Sequence, residues 1–336
     1  MIMNRPSTAI LILNWNGASL LREFLPSVVE GTNPTIATVI VVDNGSDDDS
    51  RDVLTKDFPS VRTMFLDKNY GYAEGYNKAV RQLSDEFKYV VLLNSDVAVQ
   101  AGWVEPLVDF MDKHTEVGAC QPKILSYLHP TQFEYAGASG GFIDRNGYPY
   151  CRGRIFNHCE TDKGQYNNAM PVFWATGAAL MVRPEVYLEV GGLDAGFFAH
   201  MEEIDLCWRI HLAGLQVWVV PQSVVYHLGG GSLPAENPRK TYLNFRNNLL
   251  LLHKNLPDAT RHRKLLKRRL LDTLAWFKFV CTLDMKNAAA IWRAHRDFRK
   301  MSSTYTTHPD VDILDTRKDT RDNIVWDYFV KGRRTF

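Results

Sequence analysis

At residues 89–96 the chain reads YVVLLNSD, a short apolar run that ends directly in an asparagine and an aspartate. Earlier runs of the same kind, short and mostly apolar, occupy residues 10–13, 39–42 and 61–66. Such runs are typical of strands that are buried on both faces of a sheet. Amphipathic stretches with apolar side chains at helical spacing lie between them, at residues 20–28 and 72–83. This alternation predicts an α/β fold in which a mostly parallel sheet is flanked by helices.

Length and composition restrict the kind of protein. The 336 residues exceed what one core usually accommodates, so we expect one large domain, residues 1–232, followed by a helical appendage, residues 233–336. The hydrophobic content of 45% excludes a globally disordered chain, and the net charge of +1 predicts no attraction to nucleic acid. Five cysteines without a C-x-x-C pair indicate reduced thiols, and therefore a cytoplasmic protein. The best candidate for a membrane span, residues 172–182, has about half the length required.

Two polar segments follow predicted strands and are candidates for binding a nucleotide. The turn at residues 43–47 begins with Asp43, whose carboxylate can accept hydrogen bonds from a base or a ribose hydroxyl. A turn that only caps the next helix is the alternative. The segment at residues 69–77 reads NYGYAEGYN, in which glycines allow close approach of a ligand while Asn69 and Asn77 offer donors and acceptors. A helix N-cap is the alternative there.

Asn94 and Asp96 end the strand at residues 89–93. They are two residues apart, so their side chains are expected on the same side of the chain. Oxygen ligands of this kind suit a hard divalent cation, Mg²⁺ or Mn²⁺, held between the protein and a diphosphate. The alternative is an Asx turn that binds no metal.

An acidic cluster opens a helix predicted at residues 202–212. Asp205 lies four residues before Arg209, so we expect these two to pair along the helix. This leaves Glu202 or Glu203 directed toward the strand ends. Crowding by a second carboxylate raises the pKa of a glutamate, which can then act as a general base near neutral pH. A solvated acidic helix start is the alternative.

His227 ends the last predicted strand and precedes a glycine-rich loop. A lone histidine is more often structural than a ligand. Its position after the last strand of the sheet nevertheless favours a functional role.

The ordered set of motifs resembles family 2 glycosyltransferases of the GT-A, Rossmann-like fold, and most of all their bacterial rhamnosyltransferase-like branch. The sequences that carry the resemblance are LNWNG at 13–17, VVDNGS at 41–46, NYGYAEGYN at 69–77, NSD at 94–96, GGLDAGFF at 191–198 and EEIDLCWR at 202–209. The likeness covers about residues 7–232. Each motif alone is weak, whereas the ordered set is specific.

The resemblance implies an inverting transfer of a sugar from a nucleoside diphosphate sugar to an acceptor hydroxyl. The candidate residues around the donor are Asn14, Asp43, Asn69, Gly71, Asn77 and Asn94. Asp96 would bind the metal and the diphosphate, and His227 would complete the metal site. Glu203 aligns with the second acidic residue of the family's E-D pair and would deprotonate the acceptor. The resemblance also favours dTDP-rhamnose over a UDP-hexose as donor.

The chain departs from the family pattern at two positions. The family's D-x-D motif is replaced by Asn94-Ser95-Asp96, so a single carboxylate remains. The family's E-D pair is replaced by Glu202-Glu203, so the choice of base between these two glutamates stays open.

The family shapes its acceptor pocket in the segment that contains Trp174, Thr176 and Gly177. An aromatic face at this position suits stacking on a sugar ring. Core packing is the alternative interpretation of Trp174.

The C-terminal region has a strongly basic composition. From residue 254 to residue 300 it carries thirteen basic and four acidic side chains, interleaved with leucines and aromatic residues. We predict that it attaches peripherally to the anionic inner face of the plasma membrane, where it meets a lipid-linked glycan acceptor in bacterial surface polysaccharide synthesis. A solvated helical region is the alternative.

Two other functions are consistent with a nucleotide-binding sheet. A sugar-phosphate nucleotidyltransferase normally carries a cationic glycine-rich loop after its first strand, and residues 14–17, NWNG, contain no cationic side chain. A non-catalytic sugar-nucleotide-binding protein is the other alternative. The joint presence of Asp96, Glu203 and His227 argues against it.

Overall fold

The secondary structure follows the periodicity of the sequence closely in the N-terminal half. The computed structural model describes residues 6–229, 237–318 and 320–336. The strands are β1 Thr8–Asn14, β2 Ala37–Asp43, β3 Arg62–Phe65, β4 Tyr89–Leu93, β5 Val97–Val99, β6 Val117–Ser126, β7 Gly141–Ile143, β8 Pro149–Cys151, β9 Arg154–Ile155, β10 His158–Cys159, β11 Met170–Val172, β12 Ala179–Val182 and β13 Gln216–His227. The helices are α1 Ala18–Gly31, α2 Ser50–Asp52 continued by a π-helical turn Val53–Asp57, α3 Gly71–Leu83, α4 Glu105–Lys113, α5 Pro184–Glu189, α6 Glu202–Leu212, α7 Pro238–Asn255, α8 Asp258–Cys281, α9 Met285–Met301, α10 Ile313–Thr316 and α11 Ile324–Phe329.

The central sheet is mixed. Within the described ranges it has nine strands in the order β11-β13-β6-β12-β4-β1-β2-β3, with β5 paired to β13. The four strands predicted from the N-terminal apolar runs are parallel to one another, as expected. Strands β5, β11 and β12 run antiparallel to their neighbours. In the register of β1 and β2, Asn14 lies opposite Asp43, so the polar residues that end these strands meet at one edge.

Both faces of the sheet are buried, and the strands alternate between two apolar layers. On β1, Ile10 and Ile12 face the layer that contains α1 and α4, whereas Ala9 and Leu11 face the layer that contains α3 and α6. This two-residue alternation explains why the strand sequences are continuously apolar rather than alternating with polar residues.

Residues 122–171 contain short strands and loops, as the weak periodicity predicts. Strands β7 to β10 form a small antiparallel sheet of their own. In the sequence, residues 216–220 and 224–226 form two short runs that predict two separate strands, but this prediction was wrong, because both runs belong to β13. The register against β6 shifts between Val220 and Val224. Pro221 lies in this interval, and because it lacks a backbone N–H it disrupts the ladder without ending the strand.

The C-terminal region is helical, and α7 completes the core of the sheet domain. Residues 249–252 are fully buried in the same apolar layer as Leu206 and Trp208 of α6. The boundary predicted between residues 232 and 233 lies outside the described residues. Among the helices that the structure describes, none is both long enough and apolar enough to cross a bilayer.

Candidate active site

The ends of β1 and β2 form a buried polar edge. Asn14 is fully buried and donates from Nδ2 to Oδ2 of Asp43, at 3.1 Å. The other carboxylate oxygen of Asp43 accepts from the backbone N–H of Ser46, at 3.0 Å. Trp15 is 55% exposed and follows Asn14 directly, so an indole ring lies open to solvent beside the buried pair. The sequence analysis assigned no role to this tryptophan.

Asn44 connects this edge to the start of α3. Its side chain donates to Oδ1 of Asn69, at 3.0 Å, and accepts from the backbone N–H of Tyr70, at 3.0 Å. Gly45, with φ +72°, passes so close to the backbone of Lys68 that a β-carbon would lie 2.5 Å from it. The two strand-end segments at residues 43–47 and 69–71 are therefore fixed against each other. Around Gly71 there is open space, which leaves room for a ligand.

Asn77 has a structural role, which corrects the prediction that it contacts the donor. Its Nδ2 donates to the carbonyl of Leu193, at 2.9 Å, and to Glu74, at 3.1 Å. Its Oδ1 accepts from the hydroxyl of Tyr187, at 2.6 Å, and from the backbone N–H of Leu193, at 3.0 Å. Both donors and both acceptor positions of the amide are thus used within the protein. Asn77 ties α3 to the GGLD motif rather than to a nucleotide.

The predicted metal residues come together because β5 pairs with the end of β13. His227 lies opposite Val97 in that pairing, which brings it to Asp96. Nε2 of His227 is 3.1 Å from Oδ1 of Asp96 and 3.5 Å from Nδ2 of Asn94. Burial lowers the pKa of His227, but the carboxylates of Asp96 and Glu134 outweigh it and raise this pKa to about 10. Burial of Asp96 opposes its ionisation, but the hydrogen bond and charge of His227 lower the pKa of Asp96.

Glu134 is a site residue that the sequence analysis missed. Its Oε2 is 3.4 Å from Nδ1 of His227, on the side of the imidazole away from Asp96. A carboxylate behind a histidine is the arrangement that orients metal-binding imidazoles and raises their basicity. Glu134 lies in the weakly periodic segment 122–171, where no sequence signal distinguishes it.

The donor set suits a hard cation that takes part of its coordination from a ligand. No group of three or more histidine, cysteine or acidic side chains converges on one point within the described residues. Asp96 would supply one oxygen ligand, and His227 would supply one nitrogen ligand once the cation displaces the proton that the raised pKa of His227 retains. Mg²⁺ and similar ions are commonly bound through one or two protein side chains, with phosphate oxygens and water completing the shell. The residues present fit that mode of binding.

Two glutamates begin α6, and their environments differ. Glu202 is buried, and burial together with the charge of Glu203 raises its pKa well above the usual range of a glutamate. Burial also raises the pKa of Glu203, to about 7, against the opposing effect of nearby backbone N–H groups. The environment of Glu202 therefore favours its protonated form, while the pKa of Glu203 lies close to neutral pH. A pKa near neutral pH is the property that a general base needs, and of the two glutamates Glu203 has it.

The predicted pairing of Asp205 with Arg209 is confirmed, with Nη2 of Arg209 2.6 Å from Oδ2 of Asp205. Asp205 is fully buried and also accepts from Lys254, at 2.9 Å, and from Asn255, at 2.7 Å. These contacts hold α6 against α7. They also separate Asp205 from the chemistry of the two glutamates.

Tyr72 lies between the start of α6 and the strand end that carries Asn94. Its hydroxyl donates to the carbonyl of Gly177, at 2.9 Å, and lies 3.4 Å from Oδ1 of Asn94. A β-carbon on Gly177 would lie 3.8 Å from that of Glu203, so the start of α6 is adjacent. Burial raises the pKa of Tyr72 well above 10, with further contributions from the charges of nearby tyrosine and glutamate side chains. The tyrosine therefore remains a neutral donor.

The turn before α6 adopts an unusual backbone conformation. Phe198, His200 and Met201 have φ of 67°, 69° and 74°, in the left-handed region that side chains other than glycine rarely occupy. Each such residue costs about 1–3 kcal/mol and persists only where the surroundings impose it. Nδ2 of Asn247 on α7 contacts the carbonyl oxygens of Phe197, Ala199 and His200 at 2.7–2.9 Å. The C-terminal region thus shapes the turn that presents Glu203.

The predicted acceptor residues do not share one environment. Trp174 is only 3% exposed, and its indole N–H donates to the carbonyl of Phe142, at 2.9 Å. Its ring packs directly on Gly141, where any β-carbon would clash. The stacking role predicted for Trp174 was therefore wrong, and core packing is correct. Thr176 is likewise buried, whereas the carbonyl of Gly177 contacts Tyr72 at the site.

Comparison with characterised proteins identifies the family of the chain. Residues 9–183 match the sequence model of the family described as Glycosyl transferase family 2. The chain is 25% identical over 231 residues to N-acetylglucosaminyl-diphospho-decaprenol L-rhamnosyltransferase of Mycobacterium tuberculosis, which covers 65% of this chain and 75% of that protein. It is also 25% identical over 233 residues to dTDP-rhamnosyl transferase RfbF of Shigella flexneri, with coverage of 65% and 71%.

Solved structures share the fold. TarS 1–349 of S. aureus in complex with UDP-GlcNAc aligns with a TM-score of 0.55 at 15% identity, over 87% of this chain and 80% of that one. The mannosyltransferase PcManGT of Pyrobaculum calidifontis in complex with GDP-Man and Mn²⁺ aligns with a TM-score of 0.50 at 15% identity, over 89% and 84%. These likenesses establish the GT-A fold expected from the motifs.

Proposed function

The chain belongs to glycosyl transferase family 2, and we propose that this glycosyltransferase moves L-rhamnose from dTDP-rhamnose to a hydroxyl group of a lipid-linked glycan, with inversion at the anomeric carbon. The names of two relatives, both rhamnosyltransferases, support the sugar. The mycobacterial relative supports the acceptor, because its name specifies a decaprenol diphosphate glycan. We further propose that the enzyme serves surface polysaccharide synthesis at the inner face of the plasma membrane. A UDP-hexose is the alternative donor.

The observation that carries this proposal is the convergence of three segments at one edge of the sheet. Tyr72 spans the interval between Gly177, beside Glu203, and Asn94, which contacts His227. A glycosyl transfer needs a base on the acceptor side and positive charge on the leaving-group side. Glu203 meets the first requirement, and the pair of Asp96 and His227 suits the second.

We infer the following course for the reaction. Glu203 accepts the proton of the acceptor hydroxyl, and the acceptor oxygen forms a bond to the anomeric carbon from the face opposite the diphosphate. The bond between the anomeric carbon and the diphosphate oxygen breaks, and its electron pair leaves with the nucleoside diphosphate. Attack on the opposite face inverts the configuration. Burial and the charge of Glu203 raise the pKa of Glu202, which favours a neutral side chain beside the attacking oxygen.

A divalent cation held by Asp96 and His227 would supply positive charge for the departing diphosphate. Glu134 would orient the imidazole of His227 from behind. Asn14, Asp43 and Asn69 line the edge at which we propose that the nucleoside binds. Because the buried hydrogen bonds of Asn14 and Asp43 fix their side chains, we infer that this edge is formed before the donor arrives.

The experiment that tests the function combines donor binding with transfer. Thermal shift of the full chain is measured with dTDP-rhamnose, UDP-glucose and UDP-GlcNAc, each with and without Mg²⁺ or Mn²⁺. We expect the largest stabilisation with dTDP-rhamnose and metal together. Transfer of labelled sugar to a polyprenyl diphosphate glycan is then compared in Glu203→Gln and Glu202→Gln.

Glu203→Gln is expected to reduce turnover by about 10²–10⁴-fold, the usual contribution of a general base, while it preserves the donor-induced thermal shift. Glu202→Gln is the matched control, since it replaces a carboxyl group whose neutral form is favoured by burial and by the charge of Glu203, and it should retain activity within about tenfold. Full turnover by Glu203→Gln would refute the assignment of the base. Absence of a shift with every nucleotide sugar would refute the proposed function itself.

A further inference from the structure

Helix α8 is oriented with its charged side inward. Arg261, Lys264, Arg268 and Asp272 are all buried, although a basic amphipathic helix in water normally buries its apolar side. The spacing of these residues, at three or four positions, places them on one face of the helix. The apolar residues of α8 are consequently distributed in part to the opposite, outer face.

Specific polar contacts fix this orientation. Nε of Arg268 is 2.7 Å from Oδ1 of Asp272, whose other oxygen is 3.1 Å from Nε2 of His295 on α9. The guanidinium of Arg268 also lies 3.9 Å from the centre of the Tyr148 ring. Rotation of α8 would leave these buried charges without partners, which costs far more than exposing a leucine. The outward direction of the apolar residues is therefore a stable property of the fold.

The outer face of α8 forms a continuous apolar stripe. Leu266, Leu270 and Leu274, at intervals of four residues, are 61–65% exposed, and Phe277 is 54% exposed. Basic side chains flank them on the same face. We define the α8 stripe as Arg263, Leu266, Lys267, Leu270, Leu274, Phe277 and Lys278. An exposed patch of this kind marks an interaction surface.

The exposed apolar surface continues past the end of α8. Leu283 in the connecting turn is 84% exposed, and Trp292 on α9 is 62% exposed. A groove of about 310 Å³ lies between α8 and α9, where Trp276, Trp292, Arg296 and Arg299 contribute to its lining. Tryptophan and arginine together are suited to the boundary between acyl chains and phosphate headgroups.

We propose that the α8 stripe and the adjoining turn dock on an anionic lipid bilayer, with the leucines and Phe277 in the acyl boundary and the basic side chains at the phosphates. Charge complementarity favours this occupant, because in a symmetric contact between two copies the basic residues of one stripe would face those of the other. The length and composition of the helix suit a segment that lies in the interface plane. Docking itself does not depend on the proposed function. Its consequence, access of the enzyme to a lipid-linked acceptor, rests on the proposed function.

The test uses the full chain and vesicles of phosphatidylcholine with or without 30 mol% phosphatidylglycerol. Sedimentation is measured for the wild type, for Leu270→Gln/Leu274→Gln and for Lys267→Gln/Lys278→Gln. The leucine variant should bind anionic vesicles at least roughly tenfold more weakly, from the loss of partly inserted side chains. The lysine variant should lose about 25-fold on anionic vesicles, at about fivefold per lysine, and little on neutral ones.

Leu128→Gln is the matched control, since it removes a leucine that is 64% exposed outside the stripe, next to a tyrosine that packs on α1, and it should bind as the wild type does. Vesicle binding that is equal in all four proteins would overturn the proposal. The proposal would also be overturned if light scattering showed that the wild type is a dimer in the absence of vesicles and that Leu270→Gln/Leu274→Gln is a monomer. Transfer to a detergent-free, water-soluble acceptor should be unchanged in the stripe variants, and Glu203→Gln should still bind vesicles. Failure of docking is thus distinguished from failure of the proposed function.

Discussion

The raised pKa of Glu203 makes a quantitative prediction about the dependence of catalysis on pH. With a pKa of about 7, roughly one-eleventh of the Glu203 side chains are ionised at pH 6 and ten-elevenths at pH 8. Only the ionised form accepts the acceptor proton, so kcat/KM for the acceptor should rise about tenfold between these pH values. A glutamate with its ordinary pKa of 4.5 is already about 97% ionised at pH 6 and would give an almost flat profile.

The assay measures release of nucleoside diphosphate at saturating donor and saturating metal, so that pH-dependent binding of the cation does not contribute. Glu202→Gln should show the same rise, because burial and the charge of Glu203 favour the neutral form of Glu202. A change of less than about twofold between pH 6 and pH 8 would refute the reasoning. A rise that disappears in Glu202→Gln would instead transfer the role of base to Glu202.

Two further predictions concern stability and positioning. Between about pH 4.5 and pH 7 the folded chain retains a proton on Glu203 that the unfolded chain releases, so the free energy of unfolding falls as the pH rises through that interval. Glu203→Gln removes this effect. The variant should therefore raise the free energy of unfolding by up to about 3 kcal/mol at pH 8, and by little near pH 4.5. Thermal unfolding at the two pH values checks this, and an equal effect at both would contradict it. Asn247→Ala should cost about 1–3 kcal/mol of stability, because carbonyl groups of the turn at residues 197–200 lose their hydrogen-bond donor. The variant should also lower kcat more than it raises KM for the nucleotide sugar. An unchanged kcat in the folded variant would exclude a positioning role for Asn247.

Local sequence patterns predicted the elements and strand ends well. The predicted helix at residues 202–212 coincides with α6, because its apolar spacing and its acidic start are both local signals. Asp96 and His227 were also predicted as partners, although nothing local connects them. The resemblance to a family supplied that link, and the pairing of β5 with β13 is its physical basis.

Other features depend on partners that are distant in the sequence. The amide of Asn77 offers the donors and acceptors that a ligand-binding residue needs. Only its four hydrogen bonds within the protein show that all of them are already used. Glu134 is defined by its contact with a histidine on another strand. The orientation of α8 is not encoded in its own periodicity, since apolar and basic residues are interleaved around the helix. Asp272, Tyr148 and His295 decide which face turns inward.

The contact between Asn94 and His227, which are 133 residues apart, has a consequence for the order of events during synthesis. A ribosome that adds about 5–20 residues per second makes the end of β4 roughly 7–27 seconds before His227 exists, and the ends of β1 and β2 earlier still. Asn247, which holds the turn before the base, follows later still. A nascent chain can therefore fold the nucleotide edge early, whereas the catalytic arrangement is completed only when α7 has been made. The stripe on α8 emerges after that, so the order of translation places assembly of the proposed active site ahead of the proposed docking on a bilayer.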